Sequence, residues 1–277
     1  MTSDVSQIEG PDMEQALAEP GDEAAAPRSE LVQSLSRGLA IIRSFDSSAP
    51  SMTLSQVAVR TGVSRAVARR FLHTLAADGY VITDGKLFRL TPRVLDLGFA
   101  YLSSLNIWDV AQPIMQEVVA ATGESCSASV LDGTEIVYVA RVAAGRIMQV
   151  GLGIGSRLPA FCSSMGRVLL AASAPDQLDT FFRTATFKSY TPRTLTAEAA
   201  LRQEVCRVAA QGWALVDEEL ETGLRSLSVP VRRRSGQVVA AMNVSCHASA
   251  CTAEQTLARC LPVLLAASEK IARSLPS

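Results

Sequence analysis

The sequence is poor in the features that mark many enzymes and membrane proteins. Aromatic residues make up only 5% of its 277 residues, and histidine occurs twice, at His73 and His247. No stretch approaches the ~20 apolar residues that a membrane helix needs. The first thirty residues lack the basic start and apolar run of a secretion signal, so a soluble, cytoplasmic protein is expected. Six cysteines (Cys126, Cys162, Cys206, Cys246, Cys251 and Cys260) form no C-x-x-C pair. A structural zinc site needs ligands clustered at short spacing. Only Cys246, His247 and Cys251 come close, and small buried thiols in a reduced compartment are the simpler reading. The glycine-rich run at 151–156 lacks the Lys-Ser/Thr of a phosphate loop and the spacing of a dinucleotide fingerprint, so it reads as a flexible loop. With no nucleophile elbow either, no catalytic site, metal or cofactor is expected.

What is present is unevenly distributed. The net charge is −1, yet residues 1–30 hold eight acids and a single base, Arg28. They are rich in Ala, Glu, Asp, Gly and Pro and cannot bury enough surface to offset ordering entropy, so they read as a disordered tail. Residues 31–106 reverse the sign, with nine bases and four acids. A basic patch in one small segment suits a phosphate-binding module, although an ordinary solvated surface would look the same by charge alone. Hydrophobic residues make up 48% of the chain, enough for two domains with sizeable cores.

The basic segment carries a spacing that charge does not. Residues 54–60 form a short helix with Leu54, Val57 and Ala58 on one face. Thr61, Gly62 and Val63 make a turn in which Gly62 can take positive φ without steric cost. Ser64 is a good cap for the next helix, which buries Ala68, Phe71, Leu72 and Leu75. Arg65, Arg69 and His73 lie four apart on its other side, with Arg70 beside them. This is a helix-turn-helix whose second helix could enter the major groove. A hairpin follows, residues 80–83 and 87–90 around Asp84-Gly85-Lys86. It forms a wing carrying Lys86 and Arg89 toward phosphates. The expected DNA-contacting set is Ser64, Arg65, Ala66, Arg69, Arg70 and His73 on the helix, with Lys86 and Arg89 on the wing.

Four segments are expected in the chain: the tail at 1–30, the winged helix-turn-helix at 31–92, a linker helix at 93–107 and a second domain at 108–277. The linker helix is too apolar to lie alone in water, and it packs on a partner subunit or on its own chain. In the second domain, alternation over 125–131 and 135–142 flanks the turn Asp132-Gly133-Thr134. Helices are read at 163–172 and 196–211, and strands at 224–233 and 238–246. A capping box at Thr252 and Gln255 opens a final helix that Pro262 could kink. Strands interleaved with helices make this an α+β domain.

These residues resemble the IclR family of bacterial transcriptional regulators over nearly all of 31–274. The segments that carry the resemblance are 34–42, 158–171 and 217–231. Segments 127–142, 211–217 and 223–226 look closest to the branch regulating the protocatechuate and β-ketoadipate pathway. Ser226 stands where many relatives have Cys, which argues against importing a distant relative's effector. The resemblance implies a GAF-like effector domain, a dimer or dimer of dimers, operator DNA as partner and a small organic acid as effector. A relative answering to a different acid and controlling another pathway is the alternative.

The residues themselves suggest where an acid could sit. Ser163, Ser164, Met165 and Gly166 open a helix, where free N–H groups and serine hydroxyls attract anions, although a plain capped helix would look alike. In family members this segment lines the effector pocket. Asn243, Ser245 and His247 share one face of a strand. The family pattern points Asn243 and Ser245 into a cavity and matches Leu224 and Ser226 to pocket positions. Arg141, Arg146, Arg167 and Arg225 are candidate carboxylate partners, each of which could equally be a solvated surface arginine. Two other function classes compete: an enzyme, which no catalytic motif supports, and an interaction protein whose helix-turn-helix only dimerises, which the basic helix face argues against.

Overall fold

The computed structural model of the protein describes residues 32–104, 107–144 and 152–275. The tail expected over 1–30, Arg146 and Gly151 lie outside the described residues. The chain divides between Asp96 and Leu97 into two compact units.

Three helices frame the first unit: α1 (Gln33–Arg43), α2 (Leu54–Thr61) and α3 (Arg65–Ala77). Thr53 and Gln56 form a capping box on α2, satisfying two N–H groups that a helix start leaves open. α2 stops at Gly62, whose φ of 68° lies in the left-handed region that a side chain would strain. Ser64 Oγ then accepts from the Val67 N–H at 3.3 Å and opens α3. Ile41, Val57, Ala58, Ala68 and Leu72 are buried together beneath Val81 and Phe88. Those last two come from β2 (Val81–Thr83) and β3 (Leu87–Leu90). In the turn between these strands, Asp84 Oδ1 accepts from the N–H groups of Leu87 and Lys86 at 2.8 and 2.9 Å. The same two bonds hold the Asp84 carboxyl below its ordinary pKa. A third strand, β1 (Met52–Thr53), pairs with β3. Two residues are too few to show alternation, so the sequence does not announce it.

Beyond the hairpin the chain makes a 3-10 turn at Pro92–Val94 before α4 (Leu95–Ser104), where the sequence predicts a single helix from residue 93. Leu95, Leu97 and Phe99 of α4 are exposed.

The second unit is a six-stranded antiparallel sheet. Its strands are β4 (Ser125–Asp132), β5 (Glu135–Val142), β6 (Arg157–Pro159), β7 (Ala214–Asp217), β8 (Leu224–Arg232) and β9 (Val238–His247). They lie in the order β6-β5-β4-β9-β8-β7. Helices α5 (Ile107–Thr122) and α9 (Ala253–Ser274) cover one face. The other carries α6 (Ser164–Ala171), α7 (Pro175–Thr184) and α8 (Glu198–Gln211). α9 runs on through Pro262 as one helix of 22 residues.

Period-two alternation sorts the central strands between these layers. Cys126 and Ala128, Leu227 and Val229, and Met242 and Val244 all face the core under α5 and α9. Their alternates are Ser127 and Ser129, Ser226 and Ser228, and Asn243 and Ser245. The sheet therefore presents an aliphatic face to one helix layer and a serine-rich face to the other. A polar face buried under a helix needs hydrogen-bond partners, and this requirement shapes the site.

Candidate functional site

In the first unit, Ser64, Arg65, Ala66, Arg69 and Arg70 are all exposed on the N-terminal turns of α3, with His73 following on the same helix. Arg65, Arg69 and Arg70 have no salt-bridge partner among the described residues. Guanidinium forks held outward in this way are free to take acceptors. Ser64 uses its lone pair on the cap, leaving its hydroxyl proton for another acceptor. His73 sits edge-on against Phe88 of β3, with ring centroids 6.4 Å apart, so it also ties helix to wing. Lys86, at the hairpin tip, and Arg89 are exposed as well.

In the second unit the serine-rich face floors a cavity of about 850 Å³ roofed by the start of α6. Its lining includes Ser163, Ser164, Met165, Leu224, Ser226, Asn243 and Ser245, seven of the eight residues the sequence nominates. Hydrogen bonds tie floor to roof. Ser164 and Ser226 share a hydrogen bond of 2.7 Å between their Oγ atoms. Asn243 Nδ2 donates to Ser226 Oγ at 2.8 Å and to Ser245 Oγ at 3.1 Å. Ser129 Oγ donates to Met165 Sδ at 3.3 Å and fixes that side chain in the roof. Asn243 is 3% exposed, and its Oδ1 accepts no hydrogen bond from the described residues.

The eighth nominee, Gly166, does not line the cavity. A Cβ at this position would lie 2.1 Å from the Ala160 carbonyl oxygen, so glycine is there to let α6 cross the chain closely. Its N–H is also occupied, donating to Ser163 Oγ at 3.2 Å.

The four candidate arginines separate as well. Arg167 is 2% exposed and forks onto both carboxylate oxygens of Glu219 at 2.7 and 2.6 Å. Its Nε donates to the Phe161 carbonyl at 2.9 Å, so it clamps α6 to the 219 segment and is not a ligand partner. Arg225 donates from Nε to Asp217 at 2.7 Å and from Nη1 to the Cys251 carbonyl, away from the cavity. Arg141 lines it; its Nη1 donates to Ser127 Oγ at 3.3 Å, and no ion pair engages it among the described residues. Arg146 lies outside the described residues.

Several lining residues were not nominated from sequence, among them Tyr138, Cys162 and Leu158. From β4 the lining takes Ser125, which the alternation Ser125-x-Ser127-x-Ser129 could have signalled. Burial, with the Glu219 carboxylate adding to it and Arg167 opposing, pushes the Cys162 thiol up to about 12. It is a neutral thiol at physiological pH, poorly suited to act as nucleophile or metal ligand.

The profile described as the IclR helix-turn-helix domain matches residues 34–85. That of the bacterial transcriptional regulator IclR C-terminal region matches residues 99–273. The chain is 43% identical over 247 residues to the Pca regulon regulatory protein of Pseudomonas putida, covering 89% of this chain and 85% of that one. It is 34% identical over 255 residues to the p-hydroxybenzoate hydroxylase transcriptional activator of Acinetobacter baylyi, covering 90% and 94%. A solved structure of a candidate transcriptional regulator from Rhodococcus sp. RHA1 superposes with a TM-score of 0.79 at 47% identity, covering 88% and 98%.

Proposed function

The chain belongs to the IclR family of bacterial transcriptional regulators, and we propose that it controls genes of aromatic acid breakdown on the protocatechuate and β-ketoadipate route. It is a DNA-binding, ligand-responsive regulator. In our reading the ligand is a small aromatic acid, and the exposed basic face of α3 reads the operator while Lys86 and Arg89 of the wing hold phosphates. The cavity carries this reading: a pocket that gathers Ser164 from its roof and Ser226, Asn243 and Ser245 from its floor, with Arg141 at its side. A few placed polar groups in a cavity of this size suit a small organic ligand. Its chemistry is that of binding, so the protein is not an enzyme. It acts in the cytoplasm, where its DNA is, and no described helix is long and apolar enough to cross a membrane.

Enlarging Ser164 tests the pocket. Ser164 is 1% exposed and lines the cavity, so tryptophan there fills the ligand's space. A ligand at a hundred times its Kd stabilises the native state by about 2.7 kcal/mol, which raises the melting temperature. Protocatechuate, related aromatic acids and β-ketoadipate are scanned against the native protein, with ligand-free melting as the fold control. Ser164→Trp is expected to abolish the ligand-induced rise while promoter DNA still shifts in a gel. An unchanged ligand affinity in this variant would place the pocket elsewhere.

The regulator is expected to be a dimer or tetramer. Helix-turn-helix proteins read paired half-sites with paired subunits, and α4 leaves Leu95, Leu97 and Phe99 exposed as apolar surface for a partner copy. Light scattering at micromolar concentration measures this directly, and a monomer there would contradict it.

A further inference from the structure

We propose that Cys251 and Cys246 form a reversible oxidation site, in which hydrogen peroxide converts Cys251 to a sulfenic acid and Cys246 closes it to a disulfide. The site stands on the two thiols and their surroundings and is independent of what the cavity binds.

The two sulfurs are 4.0 Å apart, where the end of β9 meets the segment that leads into α9. One hydroxyl holds them together. Thr256 Oγ1 donates to the Thr252 carbonyl at 2.9 Å, which leaves its lone pairs as acceptors for both thiols, Cys251 at 3.2 Å and Cys246 at 3.7 Å. A disulfide bond is about half the present separation, so the sulfurs must close by about 2 Å. The chain between them can give, since His247, Ser249 and Ala250 are exposed. The partners differ in access. Cys246 is buried, while Cys251 is half-buried between exposed Ala250 and Thr252. Burial, with Cys251 and Glu124 adding to it and the Thr256 hydroxyl opposing, pushes the Cys246 thiol up to about 11. An oxidant arriving from solvent therefore meets Cys251 first. Arg259 Nη2 stands 4.0 Å from the Cys251 sulfur, a donor for the oxygen that oxidation places there. Cys126, Cys162 and Cys260 are buried, so besides Cys251 only Cys206 on α8 is open to solvent.

In the first step the Cys251 thiolate attacks one peroxide oxygen. An S–O bond forms, the O–O bond breaks, and the departing hydroxide takes up the thiol proton as water. Sulfur loses two electrons and the peroxide gains them. In the second step the Cys246 sulfur attacks the Cys251 sulfur. The S–S bond forms, the S–O bond breaks, and hydroxide leaves with the Cys246 proton as a second water. Two thiols and one peroxide thus become one disulfide and two waters. A small thiol reverses the bond by exchange. The link pins the end of β9 to the residue just before Thr252, the cap of α9.

The full chain, freed of reductant, is treated with hydrogen peroxide until exposed Cys206 is oxidised. The remaining thiols are alkylated in urea and mapped by peptide mass spectrometry. Native protein is expected to lose Cys246 and Cys251 to a single bond between them, and dithiothreitol should restore both. Cys246→Ser should stall at the sulfenic acid of Cys251, which dimedone traps. Cys251→Ser should leave Cys246 free. Melting temperatures check both variants, and the map of native protein decides the pairing if either variant folds poorly. Cys246 and Cys251 still free once Cys206 is oxidised would overturn the proposal. So would a bond from Cys251 to Cys260 or to a second chain in place of Cys246. Loss of Cys246 in Cys251→Ser at the native rate would overturn the order of attack.

Discussion

Glu219→Ala is expected to destabilise the second unit by about 3–5 kcal/mol, because it strands a buried guanidinium. Arg167 is 2% exposed and Glu219 7%, and the pair meets through two parallel hydrogen bonds of 2.7 and 2.6 Å. Glu219 Oε2 also accepts from the Leu195 N–H at 3.1 Å, so the loop before α8 loses an anchor too. The other nearby carboxylate, Glu204, stands 3.6 Å from Arg167 Nη1 and already takes Arg207 at 2.6 Å, so it compensates only in part. Urea unfolding of the native and substituted proteins measures the change. Replacing both partners by apolar residues of similar size, Arg167→Met with Glu219→Leu, should recover most of the loss. A loss under 1 kcal/mol in Glu219→Ala would mean that Arg167 finds water or another acceptor on unfolding its fork. The clamp has a functional side as well. It joins α6, whose first residues roof the cavity, to the segment whose next residues, Leu220 and Glu221, line it. Ligand affinity should therefore fall along with stability in the single variant.

This clamp also marks a limit of reading the sequence alone. Arg167 stands in the right segment to be taken for a ligand partner, and nothing local distinguishes it from Arg141. The two partners of the pair are 52 positions apart, and only the fold brings them together. Gly166 is similar: its position beside Ser163 and Ser164 suggests a ligand contact, while its work is to let α6 pass Ala160. Local patterns were far more legible. The cap at Ser64, the glycine at 62 and the apolar stripe of α3 are short-range signals, and they locate the start of α3 to within a residue. Period-two alternation likewise placed β4 and β5, because each strand sorts its side chains between unlike layers. Elements without such contrast were lost. β1 has two residues and β7 four. α5 holds a regular buried stripe, Ile107, Ala111, Ile114, Met115 and Val118, but Pro113 interrupts a helical reading in its second turn. The floor's polar logic was half visible, since Asn243 and Ser245 are legible on one strand while their register against Ser226 and Ser127 is a tertiary fact.

The second large effect is expected on DNA. Arg65 opens α3 and Arg69 follows one turn later on the same exposed face, which is where a recognition helix meets base edges. A bidentate arginine–guanine contact discriminates by roughly 1–3 kcal/mol, so each alanine substitution should cut operator affinity by about five- to a hundredfold. Random DNA should be affected much less, because it offers no matched guanine. Lys86 is exposed at the hairpin tip and meets the backbone in our reading, so Lys86→Ala should weaken operator and random DNA alike. It should also lower the slope of log affinity against log salt by about one unit, the signature of one lost phosphate contact. Titrations of operator and random duplexes across a salt series separate these behaviours in a single experiment. Both arginines lie on the solvent side of α3, away from buried Ala68 and Leu72, so melting temperatures should not move and a folding defect cannot mimic the result. Equal losses on both DNAs for Arg65→Ala and Arg69→Ala would reassign these side chains to phosphates and leave the reading of sequence to other residues of the helix.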